Sequence, residues 1–273
     1  MNSILNKWIA LMSPMKIRNV LLVSATLAVG ALQPAAGQII YATGFEAPLL
    51  VAGTPLAGQD GWAGGPPFLS NDAATVIASK KGAQTVHVAG ADMVRSDFIN
   101  TITGGYYDAV GSYRHRVDYD TGGTKTVRVS VDIRLDGRET PKSNFFAAGV
   151  GAIGYNDEGG SEGIGELAIS SDGHVYGYSG QNLVPIFLAV THVALGKSHN
   201  LAIEANFADR TYSFFVDDSW LGTFDFAPTA TSNVLRRGSL LTYAAPDTKK
   251  DKKEDHSATY DNFAIDVVSE SSE

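Results

Sequence analysis

The chain contains no cysteine. That excludes disulfides, thiolate metal sites and cysteine nucleophiles, and also the lipid anchor that needs a cysteine at the cleavage point. Helical periodicity is nearly absent. Residues 186–194 are the one stretch to weigh as a short helix, and their β-branched content favours strand. Beyond the N-terminal region no apolar run approaches the ~18 residues of a membrane span. Positive charge is scarce too: 21 Lys and Arg stand against 29 Asp and Glu, a formal net charge of −8. That balance argues against nucleic acid or an anionic membrane as the main partner. No motif recurs at a fixed period, so a propeller or solenoid is not expected.

The N-terminal region differs from the rest. Residues 1–37 hold Lys7, Lys16 and Arg18 and no acid, and Val20–Leu32 is a short apolar run that leads into Pro34-Ala35-Ala36-Gly37. A basic start, a run too short to cross a bilayer and small residues at Ala35 and Gly37 predict a signal peptide cut after Gly37. Met15-Lys16-Ile17-Arg18 reads as a customary beginning and offers a second start point; an uncleaved anchor is the alternative to cleavage. Cleavage removes three of the 21 basic residues, leaving 18 against 29 acidic ones and a net charge of −11. The expected product is exported, extracellular or periplasmic, and not membrane-bound.

Residues 38–268 predict one all-β domain, followed by an acidic tail at 269–273. Between Lys125 and Leu135 the alternation is almost complete: Val127, Val129, Val131, Ile133 and Leu135 share one face, and Thr126, Arg128, Ser130, Asp132 and Arg134 the other. Successive strand side chains project to opposite faces, so one face meets a core and the other meets water. Leu201, Ile203, Ala205 and Phe207 repeat the pattern. Further strands are expected near 39–46, 74–79, 83–89, 106–119, 144–154, 164–170, 173–179, 211–217, 220–226, 237–243 and 257–268. Ser171-Asp172-Gly173 marks a hairpin, since Asp-Gly accepts positive φ. Short alternating runs between Gly, Asp, Asn and Ser clusters predict a two-sheet antiparallel β-sandwich. Asp247–Asp255 holds four lysines and four acids, and reads as a solvated loop.

Several phrases, in this order, resemble the concanavalin A-like lectin/glucanase superfamily in its laminin-G-like bacterial form. They are Tyr41-Ala-Thr-Gly-Phe45-Glu46 with Gly58-Gln59-Asp60-Gly61-Trp62; Thr126–Asp132; His199 through Asp209, Tyr212 and Val216 to Gly222; and Ala258-Thr-Tyr-Asp261-Asn262-Phe263. The resemblance covers most of residues 39–268 and implies a jelly roll with adjacent first and last strands and a concave face that often binds glycans. Asp217-Asp218-Ser219 departs from it, because a glycine is usual at that hairpin; Asp accepts the same geometry.

Enzymatic signatures are missing. No Glu-x-Asp-x-Glu of the laminarinase type is present. Glu162 and Glu166, the nearest imitation, would stand about 13 Å apart on an extended strand, against roughly 5 Å for retaining and 6.5–9.5 Å for inverting hydrolysis. Asp217 and Asp218 point apart, and Asp118 with Asp120 borders a turn. The phrases of alginate-lyase-like members are absent, as are zinc-type histidine spacings and a Gly-x-Ser-x-Gly elbow.

A sugar platform needs flat rings bordered by polar side chains. His174, Tyr176 and Tyr178 share a face, and Arg128, Asp132 and Arg134 form the polar face of their strand. Placed in one sheet, these six would make a platform; separately, they read as solvated surface. Tyr155, Trp62 and Trp220 are further rings, with Trp62 expected to pack near the first strand and Trp220 to fill core. The acidic charge makes a neutral polysaccharide the more natural ligand, unless a local basic patch overrides it. Glu46 and Asp261, on the strands the resemblance makes adjacent, suit a structural calcium ion; solvated strand-end acids are the alternative. The first reading is an exported, non-catalytic glycan-binding or surface-matrix protein. The alternatives are a polysaccharide hydrolase or lyase, and a structural extracellular protein.

Overall fold

The computed structural model describes residues 37–64, 73–79, 81–93, 109–136, 146–155, 159–179, 185–186, 192–244 and 256–268. Residues 1–36 of the expected signal peptide, the charged segment 247–255 and the tail 269–273 lie outside these residues. Among the described residues fifteen strands are present: β1 (Ile39–Thr43), β2 (Trp62–Gly64), β3 (Ala74–Ala78), β4 (Gln84–Ala89), β5 (Ala109–Asp120), β6 (Thr126–Asp136), β7 (Phe146–Tyr155) and β8 (Ser161–Ser170), then β9 (Val175–Ser179), β10 (Pro185–Ile186), β11 (Ser198–Asn206), β12 (Thr211–Val216), β13 (Ser219–Asp225), β14 (Val234–Ala244) and β15 (Ser257–Val268). The only helical element among the described residues is a 3-10 turn at Gly90–Asp92.

The strands form two antiparallel sheets. One runs β13-β12-β11-β6-β15-β4-β3 with β1 also on β15; the other runs β10-β9-β8-β7-β14-β5-β2. Strand β15 changes partners along its length, pairing with β4 through Ser257–Tyr260 and with β1 through Phe263–Asp266. The changeover is a bulge at Asp261–Ala264, where Asn262 takes φ of 48°. First and last strands therefore lie side by side, as the resemblance implied.

Alternation explains the core. Val127, Val129, Val131, Ile133 and Leu135 of β6 are buried with Leu201, Ile203 and Ala205 of β11. Ala148, Val150 and Ala152 of β7, Leu167 and Ile169 of β8, and Leu240 of β14 meet them from the other sheet. Each buried Val, Leu or Ile among them contributes about 1.5–3 kcal/mol against the entropy of ordering. The sheets approach closely at Gly238 of β14, where a Cβ would lie 2.6 Å from Phe263 Cζ and 2.9 Å from Val129 Cγ1. The β8–β9 hairpin turns at Gly173 with φ of 82°, as Asp-Gly predicted. Asp217 and Asp218 hold φ of 49° and 60° at the β12–β13 hairpin, doing the work of the usual glycine.

Three expectations need correction. Trp220 does not fill core: it is 63% exposed, with Nε1 donating to Thr223 Oγ1 at 3.2 Å. A register shift in the β12–β13 ladder sets it opposite Phe215, and Phe224 packs inward against Tyr212 and Phe214 instead. Ser130 is only 8% exposed, because its neighbours across the ladders are Ala202 and Ala264. The three-residue strand β2 was not foreseen, being too short to show a period. Trp62 within it packs as expected, donating Nε1–H to Tyr41 Oη at 3.2 Å beside Phe45 and Phe263.

Candidate functional site on the outer face of the seven-stranded sheet

Opposite the core face, the seven-stranded sheet carries a second alternation. On β14 the outward set is Arg237, Ser239, Leu241 and Tyr243, the alternates of core-facing Gly238, Leu240 and Ala244. On β7 it is Ala147, Gly149 and Gly151; on β8, Glu166 and Ala168; on β9, Tyr176 and Tyr178. Ala147, Ala168, Tyr178, Leu241 and Tyr243 pack as a cluster separate from the main core, with Val110 and Tyr176 against it.

Register then sets a polar row across the sheet. Ala63 lies opposite Arg114, Arg114 opposite Ser239, Ser239 opposite Gly151, Gly151 opposite Glu166, and Glu166 opposite Tyr178. From Ala147 to Gly151 strand β7 contributes only small side chains to this face. The Tyr243 side chain crosses over it from β14 and donates its O–H to Glu166 Oε2 on β8. The Tyr243 ring stacks on Tyr178 with centroids 5.4 Å apart. Burial raises the Glu166 carboxyl above the ordinary glutamate range, while the Tyr243 hydroxyl and the positive charge of Arg114 oppose the rise. Burial lowers Arg114, as does the like charge of Arg236, with Glu166 acting in the opposite direction. Arg114 Nε donates to Ser112 Oγ at 2.9 Å. Ser239 Oγ is fully buried within the row and has no hydrogen-bond partner among the described residues.

The next row brings Arg116 opposite Arg237, which is opposite Ile153. Arg116 pairs with Asp118 and reaches Tyr155 Oη at 3.3 Å, while Tyr155 Oη donates to Asp118 Oδ1 at 2.7 Å. The Arg236 guanidinium lies 4.3 Å from the centroid of the Tyr155 ring. Arg237 is pushed down to about 10, first by burial and then by the like charges of Arg114, Arg236 and Arg116. Chemically the described residues of this face offer arginine donors, the carboxylates of Glu166 and Asp118, and tyrosine side chains.

The six residues expected from sequence to form one platform are divided between the sheets. Arg128, Asp132 and Arg134 lie on β6, whose partners are β11 and β15; His174, Tyr176 and Tyr178 belong with β9, whose partners are β8 and β10. The proposed joint platform is therefore corrected. Arg128 bonds Glu204 at 3.1 Å and Asp218 at 2.8 Å, Asp132 accepts from Asn200 and Asn262 at 2.8 Å each, and Arg134 pairs with Asp136 at 3.0 Å. His174 lies 3.1 Å from Asp172, and Tyr178 is 0% exposed, so it is no open ring. Sequence reasoning missed Arg114, Ser239 and Tyr243 as site residues and considered Glu166 only as one of a pair with Glu162. The alternation within 109–120 and 237–243 carried a signal for these faces, but nothing local shows that β5, β14, β7 and β8 adjoin in that order.

Glu46 and Asp261 both border Gly44: a Cβ there would lie 3.7 Å from Glu46 Cγ and 3.8 Å from Asp261 Oδ1. Glu46 Oε1 accepts from Gln84 N at 3.0 Å and Asp261 Oδ1 from Asn262 N at 2.8 Å. Burial raises the Asp261 carboxyl, helped by the negative charges of Asp132 and Glu46. Among the described residues no group of three or more His, Cys, Asp or Glu has an arrangement that could hold a metal ion. The calcium expectation keeps only its sequence motivation.

No family model matches the chain, and no curated protein matches it. Solved structures do. The carbohydrate esterase vb_24B_21 from Shiga toxin-encoding bacteriophage phi24B superposes with a TM-score of 0.52 at 11% identity, over 85% of this chain and 100% of that one. The CBM2 module of Lactobacillus casei BL23 phage J-1 evolved Dit gives 0.51 at 10% identity, over 86% and 97%. Likeness at this identity is likeness of fold. The two antiparallel sheets and their topology are those of a jelly-roll β-sandwich.

Proposed function

We propose that this chain is a glycan-binding β-sandwich that seats its ligand on the outer face of the seven-stranded sheet without cleaving it. The observation that carries this reading is the row Arg114–Ser239–Gly151–Glu166–Tyr178. It sets the Arg114 guanidinium and the Glu166 carboxylate, a donor and an acceptor for sugar hydroxyls, beside the buried Tyr243–Tyr178 stack. The fold is similar to that of the carbohydrate esterase vb_24B_21, which agrees with a carbohydrate ligand. Binding is preferred to hydrolysis because among the described residues the row holds one carboxylate, whereas glycoside hydrolysis works with a pair.

A second reading, cleavage by elimination, draws on the Tyr243–Glu166 hydrogen bond beside Arg114. One experiment separates the two. The exported protein is screened against a polysaccharide panel for binding, and the bound polysaccharides are then assayed for new reducing or unsaturated ends. Retention without new ends supports binding, new ends support cleavage, and no retention removes both. Export itself rests on the basic start, the Val20–Leu32 run and the Ala35/Gly37 pair. Intact mass of the exported protein, expected to begin at Gln38, checks it.

A further inference from the structure

Trp220 stands on β13, the edge strand of the eight-stranded sheet, and is 63% exposed, whereas Trp62 is buried. Its Nε1–H is donated to Thr223 Oγ1 at 3.2 Å, and that hydroxyl bonds Ser213 Oγ at 2.7 Å. The indole is thus held in place with its one polar atom satisfied, and what it offers a ligand is an apolar ring face. Register sets Trp220 opposite Phe215, Thr223 opposite Ser213 and Asp225 opposite Thr211, on the side away from core-facing Tyr212, Phe214 and Val216. The Arg128 guanidinium lies 5.4 Å from the Phe215 ring centroid and bonds Glu204 at 3.1 Å and Asp218 at 2.8 Å. Asp218 accepts that bond through Oδ1, and its side chain is 86% exposed. At the other end of the strip, about 13 Å away for four residues at ~3.3 Å each, exposed Asp225 borders a cavity of about 370 Å³. Asp209, Arg210 and Phe226 line it too, with the Arg210 guanidinium 4.8 Å from the Phe226 ring centroid.

We propose that this strip of β12 and β13 is a second sugar-binding site, separate from the row in the seven-stranded sheet, and that its ligand is a neutral polysaccharide. One sugar ring lies with its C–H face on Trp220, and the Asp218 carboxylate accepts from its hydroxyls. A unit further along the chain enters the cavity, where Asp225 and Asp209 accept and Arg210 donates. A sugar has apolar ring faces and hydroxyl edges, and an exposed indole bordered by acceptors matches both. A protein partner fits less well. A stable protein interface covers about 800 Å² on each side and has a core poor in charge. Here Asp218, two residues from Trp220, and Arg128, over the Phe215 ring, interrupt the apolar surface. Asp218, Asp225 and the net charge of −8 turn away a polyanion.

The test reads Trp220 directly. Acrylamide quenching of tryptophan fluorescence is followed in the exported protein and in Trp220→Phe, and the difference between them is the signal of Trp220. Laminarin, galactomannan, xyloglucan and dextran are the neutral probes, and polygalacturonate is the acidic one. At least one neutral probe should shield Trp220 from the quencher, and polygalacturonate should not. Asp218→Ala should move the midpoint of that shielding about threefold or more to higher probe concentration, with a melting temperature near that of the wild type. Shielding in the wild type stands apart from the folding of any Asp218 variant. A polysaccharide that is retained while Trp220 stays open to the quencher overturns this inference and leaves the reading of the seven-stranded sheet standing. An unmoved midpoint in Asp218→Ala overturns the inference as well, and so does equal shielding by polygalacturonate. Shielding that grows with protein concentration in the absence of any probe overturns it too, because a second copy then covers the indole. Retention of no polysaccharide at all overturns both readings.

Discussion

At the scale of single residues, the site depends on what β7 lacks. A Cβ at Gly151 would lie 2.9 Å from Leu241 Cδ1 and 3.5 Å from Glu166 Cγ, so the floor of the row exists because that side chain is absent. Tyr243 can reach Glu166 only across this bare strand. Glu166 itself titrates in a way that can be checked. Its carboxyl is raised by burial, so between the ordinary glutamate value and the raised one the folded state holds a proton that the unfolded chain has released. Its contribution to stability is full below that window and is lost as pH rises through it. Glu166→Gln keeps an acceptor for the Tyr243 hydroxyl and carries no charge. Melting temperatures followed from acid to neutral pH should therefore show the variant gaining on the wild type as pH rises. A gap that stays constant, or narrows from the variant's side, would show that Arg114 and Tyr243 outweigh burial.

At the scale of elements, β6 separates what alternation reveals from what it hides. Its inward valines and Ile133 are all buried, as the period-two pattern of 125–135 required. Val131→Asp should unfold the domain or abolish expression, since an unpaired buried charge costs several kcal/mol. Ser130→Asp changes the other face, yet Ser130 lies between Ala202 and Ala264 and is nearly covered, so a cost of about 1–3 kcal/mol is expected rather than none. Chemical denaturation of the two variants checks the order, and equal effects would mean that the faces are misassigned. Residue faces were legible because a strand's period is local. Sheet membership was not, because pairing joins segments far apart in the chain: β6 takes β11 and β15 as neighbours, and β9 takes β8 and β10. Arg128, Asp132 and Arg134 could thus be assigned correctly to a polar face and wrongly to the company of Tyr176 and Tyr178. The same limit concealed the row itself, whose five members come from five strands. Trp220 was misplaced for a related reason, a register shift that no local pattern records.

At the scale of the whole molecule, charge and closure are distributed unevenly. Arg114, Arg116 and Arg237 lie together in one sheet, while the acids Glu46, Asp261 and Asp132 meet where β1 and β4 exchange places along β15 in the other. That junction brings the first strand to the last and ties the start of the sandwich to its end. Its electrostatics are unfavourable as they stand: burial, Asp132 and Glu46 all raise the Asp261 carboxyl, so its stabilising influence is greatest in acid and is lost as pH rises above the ordinary aspartate range. Asp261→Asn retains an oxygen for the Asn262 N–H and removes the charge. With chelator present at neutral pH, the variant should melt above the wild type. Calcium bound at this junction would reverse the order, because an ion held only by the folded state stabilises by RT ln(1 + [L]/Kd), about 2.7 kcal/mol at a hundredfold excess over Kd. For a domain of this size that corresponds to a rise of about 5–10 °C in the wild type, and Asp261→Asn would lose most of it. Melting curves of both proteins in calcium and in chelator therefore read two things at once. Identical curves in the two buffers remove the calcium expectation and leave the repulsion account intact, whereas a variant that melts lower in chelator removes the repulsion account.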